Sequence, residues 1–323
     1  MISRRMFLRA GAGASCALAA SSASAQLYSQ RPVKIVVALL PGTGIDLVAR
    51  TLADKMSAKL KQTFIVENRP GAAGNLGAEA VARSAPDGHM LLATLNTTFT
   101  VNPSLYKKLP FDPTADFRYI STMGTTTGML VVHSSIPVNS VAEFVAYAKN
   151  EPISYAHAGP GSAGHLCMEH FRLLAGFQTM PVPYRGNTQL AADLAAGQIK
   201  FGFVGTPGVV QHVRAGRLKG LAVSGRTRSP LVPNLPTIAE AGYPDFEYES
   251  YYVLAAPAGI PHSVAALLER EVQQALASPG LQEKFRAQDV LIDWAGSVDT
   301  RARIAADAQL WAKVVKAAGM HVD

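Results

Sequence analysis

Apolar residues alternate between two rhythms along this chain. Val33 to Leu40 is a nearly unbroken apolar run rich in β-branched residues, as in a strand buried on both faces of a parallel sheet. Pro41, Gly42, Thr43 and Gly44 break the run. From Ile45 the spacing turns helical, with Ile45, Val48, Leu52, Met56 and Leu60 on one face. A strand that delivers a glycine-rich turn into a helix N-terminus presents unpaired N–H groups and a positive dipole end, which together outline an anion site.

The same arrangement recurs. Thr63 to Glu67 reads as a second strand, followed by a loop over Asn68 to Gly77 and a short helix near Ala78 to Arg83. Met90 to Leu95 is another buried strand ending on the polar cluster Asn96-Thr97-Thr98, and Tyr119 to Met123 and Met129 to His133 are two more. Gly124 to Gly128 between them is a crossing point between domains. Ser140 to Glu143 is a capping box that opens a helix through Lys149. Three strand, turn and helix units follow, with turns at Gly159 to Gly164, Arg185 to Thr188 and Thr206 to Gly208. Leu218 to Ser224 is a further strand, Thr237 to Glu240 caps a short helix, and Glu249 to Ala255 is extended and carries the chain back to the first domain. Helices over Pro261 to Ala277, Pro279 to Gln288 and Val298 to Ala318 close the sequence, the last packing Ile304, Ala308, Trp311 and Val315 on the sheet. Alternation of this kind predicts open parallel sheets with ligands beyond the carboxyl ends of the strands.

The first residues change the picture. Ser3-Arg4-Arg5-Met6-Phe7-Leu8-Arg9 is a twin-arginine export pattern, followed by a small apolar stretch and the cleavage site Ala23-Ser24-Ala25. The apolar stretch is too short and polar to span a bilayer. A mature chain is expected to start at Gln26 in the periplasm, and the formal net charge of +7 falls to +4 with the loss of three arginines. That mild charge, without a long basic run or an aromatic-interleaved basic patch, gives nucleic-acid binding no support. Only Cys167 survives processing, since Cys16 lies in the export segment, so the fold rests on packing rather than disulfides.

Pro41-Gly42-Thr43-Gly44-Ile45-Asp46 with Ala49-Arg50, Arg69 to Gly77, Ala85-Pro86-Asp87-Gly88, Gly159 to Leu166, Val182-Pro183-Tyr184-Arg185-Gly186, Leu235 to Gly242 and Ala256 to Pro261 resemble, block by block and in order, the periplasmic substrate-binding proteins of tripartite tricarboxylate transporters, the Bug family. The resemblance implies an α/β fold: a two-domain Venus flytrap like the type II periplasmic binding proteins, each domain a mostly parallel sheet flanked by helices. Residues 26–125 plus 250–323 would form one domain and 126–249 the other, with the cleft between them. It further implies a monomer without cofactor that captures a mono-, di- or tricarboxylate, aliphatic or aromatic, and passes it to membrane permease subunits. Carried over, the ligand positions are Pro41, Gly42, Thr43, Gly44 and Asp46 on one side, and Gly161, Ser162, Tyr184, Arg185 and Gly186 on the other; Asn75, Asn96 and His165 complete the set. The chain departs from the family pattern at Leu40, Thr43 and Ile45, which makes its first loop stiffer and more apolar than usual.

Individual residues carry competing roles. Asp46 in the first turn of its helix suits the dipole and the free N–H groups there, and facing an anion it would repel it. Arg185 has the planar fork that suits a carboxylate. His165, Glu169 and His170 form H-x-x-x-E-H, one residue too long for a zinc motif, and positions 165 and 170 point about 140° apart on a helix. No metal is expected. Ser162 raises the alternative of an exported serine hydrolase acting on a small ester or amide. Pro160, however, stands where a nucleophile elbow needs glycine, and Ser162 serves better as a helix N-cap or ligand hydroxyl. Phe99, Tyr184, Tyr251 and Tyr252 fall near loops or the crossover, where an aromatic either lines the cleft or packs in the core.

Overall fold

The computed structural model describes residues 31–322. The twin-arginine segment, the cleavage site before Gln26 and Cys16 lie outside them. In chain order the first part comprises β1 (Val33–Val37), α1 (Gly44–Leu60), β2 (Phe64–Asn68), a 3-10 turn (Ala72–Gly74), α2 (Asn75–Ala82), β3 (Met90–Leu95), α3 (Thr97–Thr100), α4 (Asn102–Leu105) and β4 (Phe117–Thr126). The chain then passes through the single residue Thr127 into β5 (Gly128–His133), α5 (Val141–Asn150), β6 (Ser154–His157), α6 (Ala163–Ala175), β7 (Met180–Pro183), α7 (Asn187–Ala195), β8 (Phe201–Gly205), α8 (Thr206–Arg214) and β9 (Leu218–Val223). It returns as β10 (Ser250–Pro257) and ends with α9 (His262–Leu276), α10 (Leu281–Arg286), β11 (Val290–Leu291) and α11 (Ser297–Ala318).

Two sheets result, ordered β11-β4-β10-β3-β1-β2 and β7-β6-β8-β5-β9. Both are mixed, which refines the expectation of mostly parallel sheets. β1, β2 and β3 pair in parallel, as do β6, β7 and β8, whereas β10 runs antiparallel to β3 and β4, and β5 antiparallel to β8 and β9. The crossings explain this. A strand that carries the chain away from a crossover begins at the cleft, so it must run against the strands that end there. Each sheet is covered on both faces, with cores built on α1 and α9 or α2 for the first sheet and on α5 and α6 or α7 for the second.

α11 spans both lobes. Its Ile304 packs with the first sheet, while Trp311, Val314 and Val315 join the core of the second. The capping box at Ser140 forms, with Glu143 N–H donating to Ser140 Oγ at 3.2 Å. That at Thr237 and Glu240 also makes both its bonds, at 2.8 and 3.0 Å, but opens only a turn, because Gly242 and Pro244 follow at once. The polar cluster after β3, which the sequence assigns to no element, is helical. It is the buried start of α3, its hydroxyls satisfied by Thr94 Oγ1 to Thr98 Oγ1 at 2.7 Å and Thr100 Oγ1 to the Asn96 carbonyl at 3.1 Å.

Candidate functional site

A cavity of about 190 Å³ lies between the lobes, at the ends of β1, β3, β4, β6 and β8 and the start of β10. Four helix N-termini reach it. Thr43 and Gly44 bring α1 from one wall; Ser162 to Gly164 bring α6, Asn187 brings α7 and Gly205 brings α8 from the other. None of the four is capped by its N-cap side chain, which leaves the first-turn N–H groups of α1, α6 and α7 without a side-chain acceptor; at α8 the Thr206 N–H donates to the Thr127 carbonyl at 3.3 Å and Pro207 has no N–H. Thr126, Thr127, Ser250 and Tyr252 add polar residues to the lining, and Leu39, Ile45, Leu95, Phe203 and Val204 add apolar ones. Among the described residues lining the cavity none carries a charge.

The first wall is held rigid from beneath. Gly42 takes a left-handed φ of 81°, and its N–H donates to Asp46 Oδ2 at 3.0 Å. The same carboxylate accepts from Arg50 Nε at 3.0 Å and, through Oδ1, from Asn68 Nδ2 at 2.9 Å. Burial pulls the Asp46 pKa upward, but the bonds from Arg50, Gly42 and Asn68 outweigh it and leave the carboxyl below its ordinary value. Asp46 is thus spent on the loop and does not line the cavity. Gly44 must lack a side chain, because a Cβ there would run into the Tyr252 hydroxyl.

The second wall hangs on two imidazoles. His157 and His165 stack with centroids 4.2 Å apart; Nδ1 of His157 bonds the Gly159 carbonyl at 2.9 Å, and Nδ1 of His165 accepts from the Gly161 N–H at 3.2 Å. Burial, then the neighbouring His157 and Arg172, push His165 down to about 3, so it is neutral and keeps its acceptor lone pair. These bonds hold the turn that presents Ser162, whose Oγ is buried without a hydrogen-bond partner. No base touches this hydroxyl, so nothing activates it as a nucleophile. Gly164 packs so closely on β8 that a Cβ would meet the Phe203 carbonyl.

Of the positions expected at the ligand, Thr43, Gly44 and Ser162 line the cavity. Pro41 and Gly42 lie exposed outside it, as does Arg185. Gly161 supports Ser162 from behind, and Gly186 is the N-cap of α7. Tyr184 turns its hydroxyl to Asp193 and packs on the core beneath α7. Asn75 Oδ1 accepts from Asn102 Nδ2 at 2.6 Å, and Asn96 bonds the Tyr251 N–H and the Glu249 carbonyl, each at 3.3 Å. His165 faces a separate recess with Glu169 and Arg172. Glu169 is engaged by Tyr155 and Arg172, and His170 stacks on Phe246.

Sequence reasoning missed Thr126, Thr127, Asn187, Gly205 and Ser250. Its usable signal was the pair of crossing segments: residues where the chain changes sheet necessarily floor the cleft between them. Of the four aromatics near the crossover, Tyr252 lines the cavity, whereas Phe99 and Tyr251 are core.

Known proteins carry the same pattern. The profile of the tripartite tricarboxylate transporter family receptor matches residues 48–320. Protein BugT of Bordetella pertussis is 34% identical over 303 residues, covering 93% of each chain. The solved structure of Rpa4515 from R. palustris with adipate has 31% identity and a TM-score of 0.81, covering 91% of this chain and 100% of that one. MatC from Rhodopseudomonas palustris with bound malate has 28% identity and a TM-score of 0.76, covering 89% and 100%. The family is one of binding receptors rather than enzymes. An uncharged cleft ringed by helix N-termini and a match over most of the chain agree: this protein belongs to the tripartite tricarboxylate transporter receptor family, among the Bug solute-binding proteins.

Proposed function

We propose that the protein captures a small carboxylate between its lobes, closes on it, and delivers it to the membrane permease subunits of a tripartite tricarboxylate transporter. The observation that carries this reading is the convergence of four uncapped helix N-termini on a cavity without a charged side chain. Each N-terminus favours an anion by roughly 0.3 to 1 kcal/mol at an exposed site, and more where water is excluded. Donors on both walls suit a ligand with an acidic group at each end and a short middle against the apolar lining. Adipate and malate, bound in the two solved relatives, both carry an acidic group at each end, adipate with an apolar middle and malate with a hydroxyl on it.

In this reading residues 26–125 plus 250–323 and residues 126–249 are the moving bodies, with Thr127 and the segment before Ser250 as hinges, except that the end of α11 from Trp311, packed in the second core, moves with the second body. The receptor works in the periplasm as a monomer, exported by the twin-arginine route and starting at Gln26. A thermal-shift screen tests the ligand class, because a ligand at about 100 times its dissociation constant adds roughly 2.7 kcal/mol of stability. Dicarboxylates such as adipate and malate should raise the melting temperature. A rise with amines, sugars or neutral amides and none with any carboxylate would overturn the reading.

A further inference from the structure

One buried carboxylate behind the cleft has no part in the ligand site described above. Asp289 stands between α10 and β11, at a left-handed φ of 54° and 1% exposed. Its Oδ2 accepts from the Thr127 hydroxyl at 2.8 Å and its Oδ1 accepts from the Ser229 hydroxyl, while the Thr206 hydroxyl joins the same group by donating to the Thr127 carbonyl at 3.3 Å. These three hydroxyl residues are not neighbours in sequence. Thr127 is the residue through which the chain leaves the first sheet, Thr206 opens α8 at the cavity, and Ser229 lies beyond β9 on the second lobe.

The segment that carries Asp289 is itself anchored to the first lobe. Val290 and Leu291 pair with Thr126 and Thr125 of β4, and a Cβ at Gly44 would come within 3.0 Å of Val290 Cγ2. A side chain fixed to one wall therefore grips the crossover and the other wall. Among the described residues no lysine, arginine or histidine hydrogen-bonds or ion-pairs with Asp289; its hydrogen-bond partners are the hydroxyls of Thr127 and Ser229. Burial raises its pKa, and the surrounding hydroxyls of Ser229, Thr127 and Thr206 only partly offset that. Burying a carboxylate without a cation is costly, and a hydrophobic residue of similar size would fill the space at lower cost. What the carboxylate supplies instead is simultaneous acceptance from two hydroxyls on separate segments.

We propose that Asp289 is a positioning residue of the cleft: it sets Thr127 and the start of α8 relative to the first wall, and so fixes the spacing of the two sets of donors without touching the ligand. The binding consequence rests on the cleft being the carboxylate site, but the mechanical one does not. Hydrogen exchange on the ligand-free protein tests it, comparing wild type with Asp289→Ala and Asp289→Asn. In Asp289→Ala the amides of Thr126 to Gly128 and Thr206 should exchange faster by about tenfold or more, while β1 stays unchanged. Asp289→Asn, whose amide still pairs with the hydroxyls, should stay within about threefold of wild type. Titration with adipate, below the melting temperature of each variant, should show affinity lost in Asp289→Ala and largely kept in Asp289→Asn. The proposal is overturned if exchange at the crossover is unchanged in Asp289→Ala, if both variants loosen it equally, or if Asp289→Ala loosens it and adipate still binds as in wild type. If the wild type binds no carboxylate, the ligand reading falls and the exchange data alone decide on Asp289.

Discussion

Ser162 separates stability from binding at a single atom. Ser162 lines the cavity and its Oγ has no hydrogen-bond partner, so folding gains no hydrogen bond from it, while a carboxylate bound against it would accept one. Ser162→Ala should leave the urea midpoint unchanged and weaken carboxylate binding by about tenfold to a hundredfold, the worth of a hydrogen bond to a charged group. Arg185→Ala, outside the cavity, should change affinity much less. His165 acts through pH. Its pKa is about 3 in the folded protein against an ordinary 6.5, so below 6.5 the unfolded chain takes up a proton that the native state refuses. Stability is therefore lost as pH falls from 6.5 towards 3. At pH 4.5 this one group costs about 2 to 3 kcal/mol relative to neutral pH. The buried carboxyls of Glu249, Asp289 and Asp307, whose pKa values are raised, work in the opposite direction, but equally in a variant that keeps them. In His165→Asn, whose side-chain oxygen can still accept from Gly161, the drop in denaturant-measured stability between pH 7 and pH 4.5 should be smaller by that amount. An equal drop in both proteins would refute the assignment.

At the scale of elements, the periodicities in the sequence identified nearly every strand and long helix, because each buries an apolar face whose rhythm is set locally. What they left out depends on partners distant in sequence. The sequence assigns the polar cluster Asn96-Thr97-Thr98 to no element, yet it leads into the buried α3, where hydroxyls bond within the turn. The Thr237 box forms its bonds without a helix. The reach of α11 across both lobes also escapes periodicity, since one apolar stripe does not say which of two cores it meets. That reach has a measurable consequence. Trp311 is buried against Tyr248 and His170, so Trp311→Ala should cost about 3 to 5 kcal/mol in urea unfolding. A loss below 1 kcal/mol would show that the helix end is not part of the second core.

For the whole molecule, the sequence made the site legible as loops rather than as side chains. Glycine turns ahead of helices mark where main-chain donors gather, and Thr43, Gly44 and Ser162 do lie at the cavity. Asp46, Asn75, Asn96 and His165 belong to the same loops, but they hold the backbone in shape, a division of labour that spacing alone cannot reveal. The central claim is that main-chain N–H groups on both walls grip the ligand with no charged side chain. Amide correlation spectra of labelled protein during titration with adipate test it most directly. The account predicts downfield shifts of the amide protons of Gly44, Ile45, Ala163 and Gly164 that saturate together, with the Arg185 side-chain signal unmoved. Saturable binding that shifts the Arg185 guanidinium and leaves those four amides in place would contradict it.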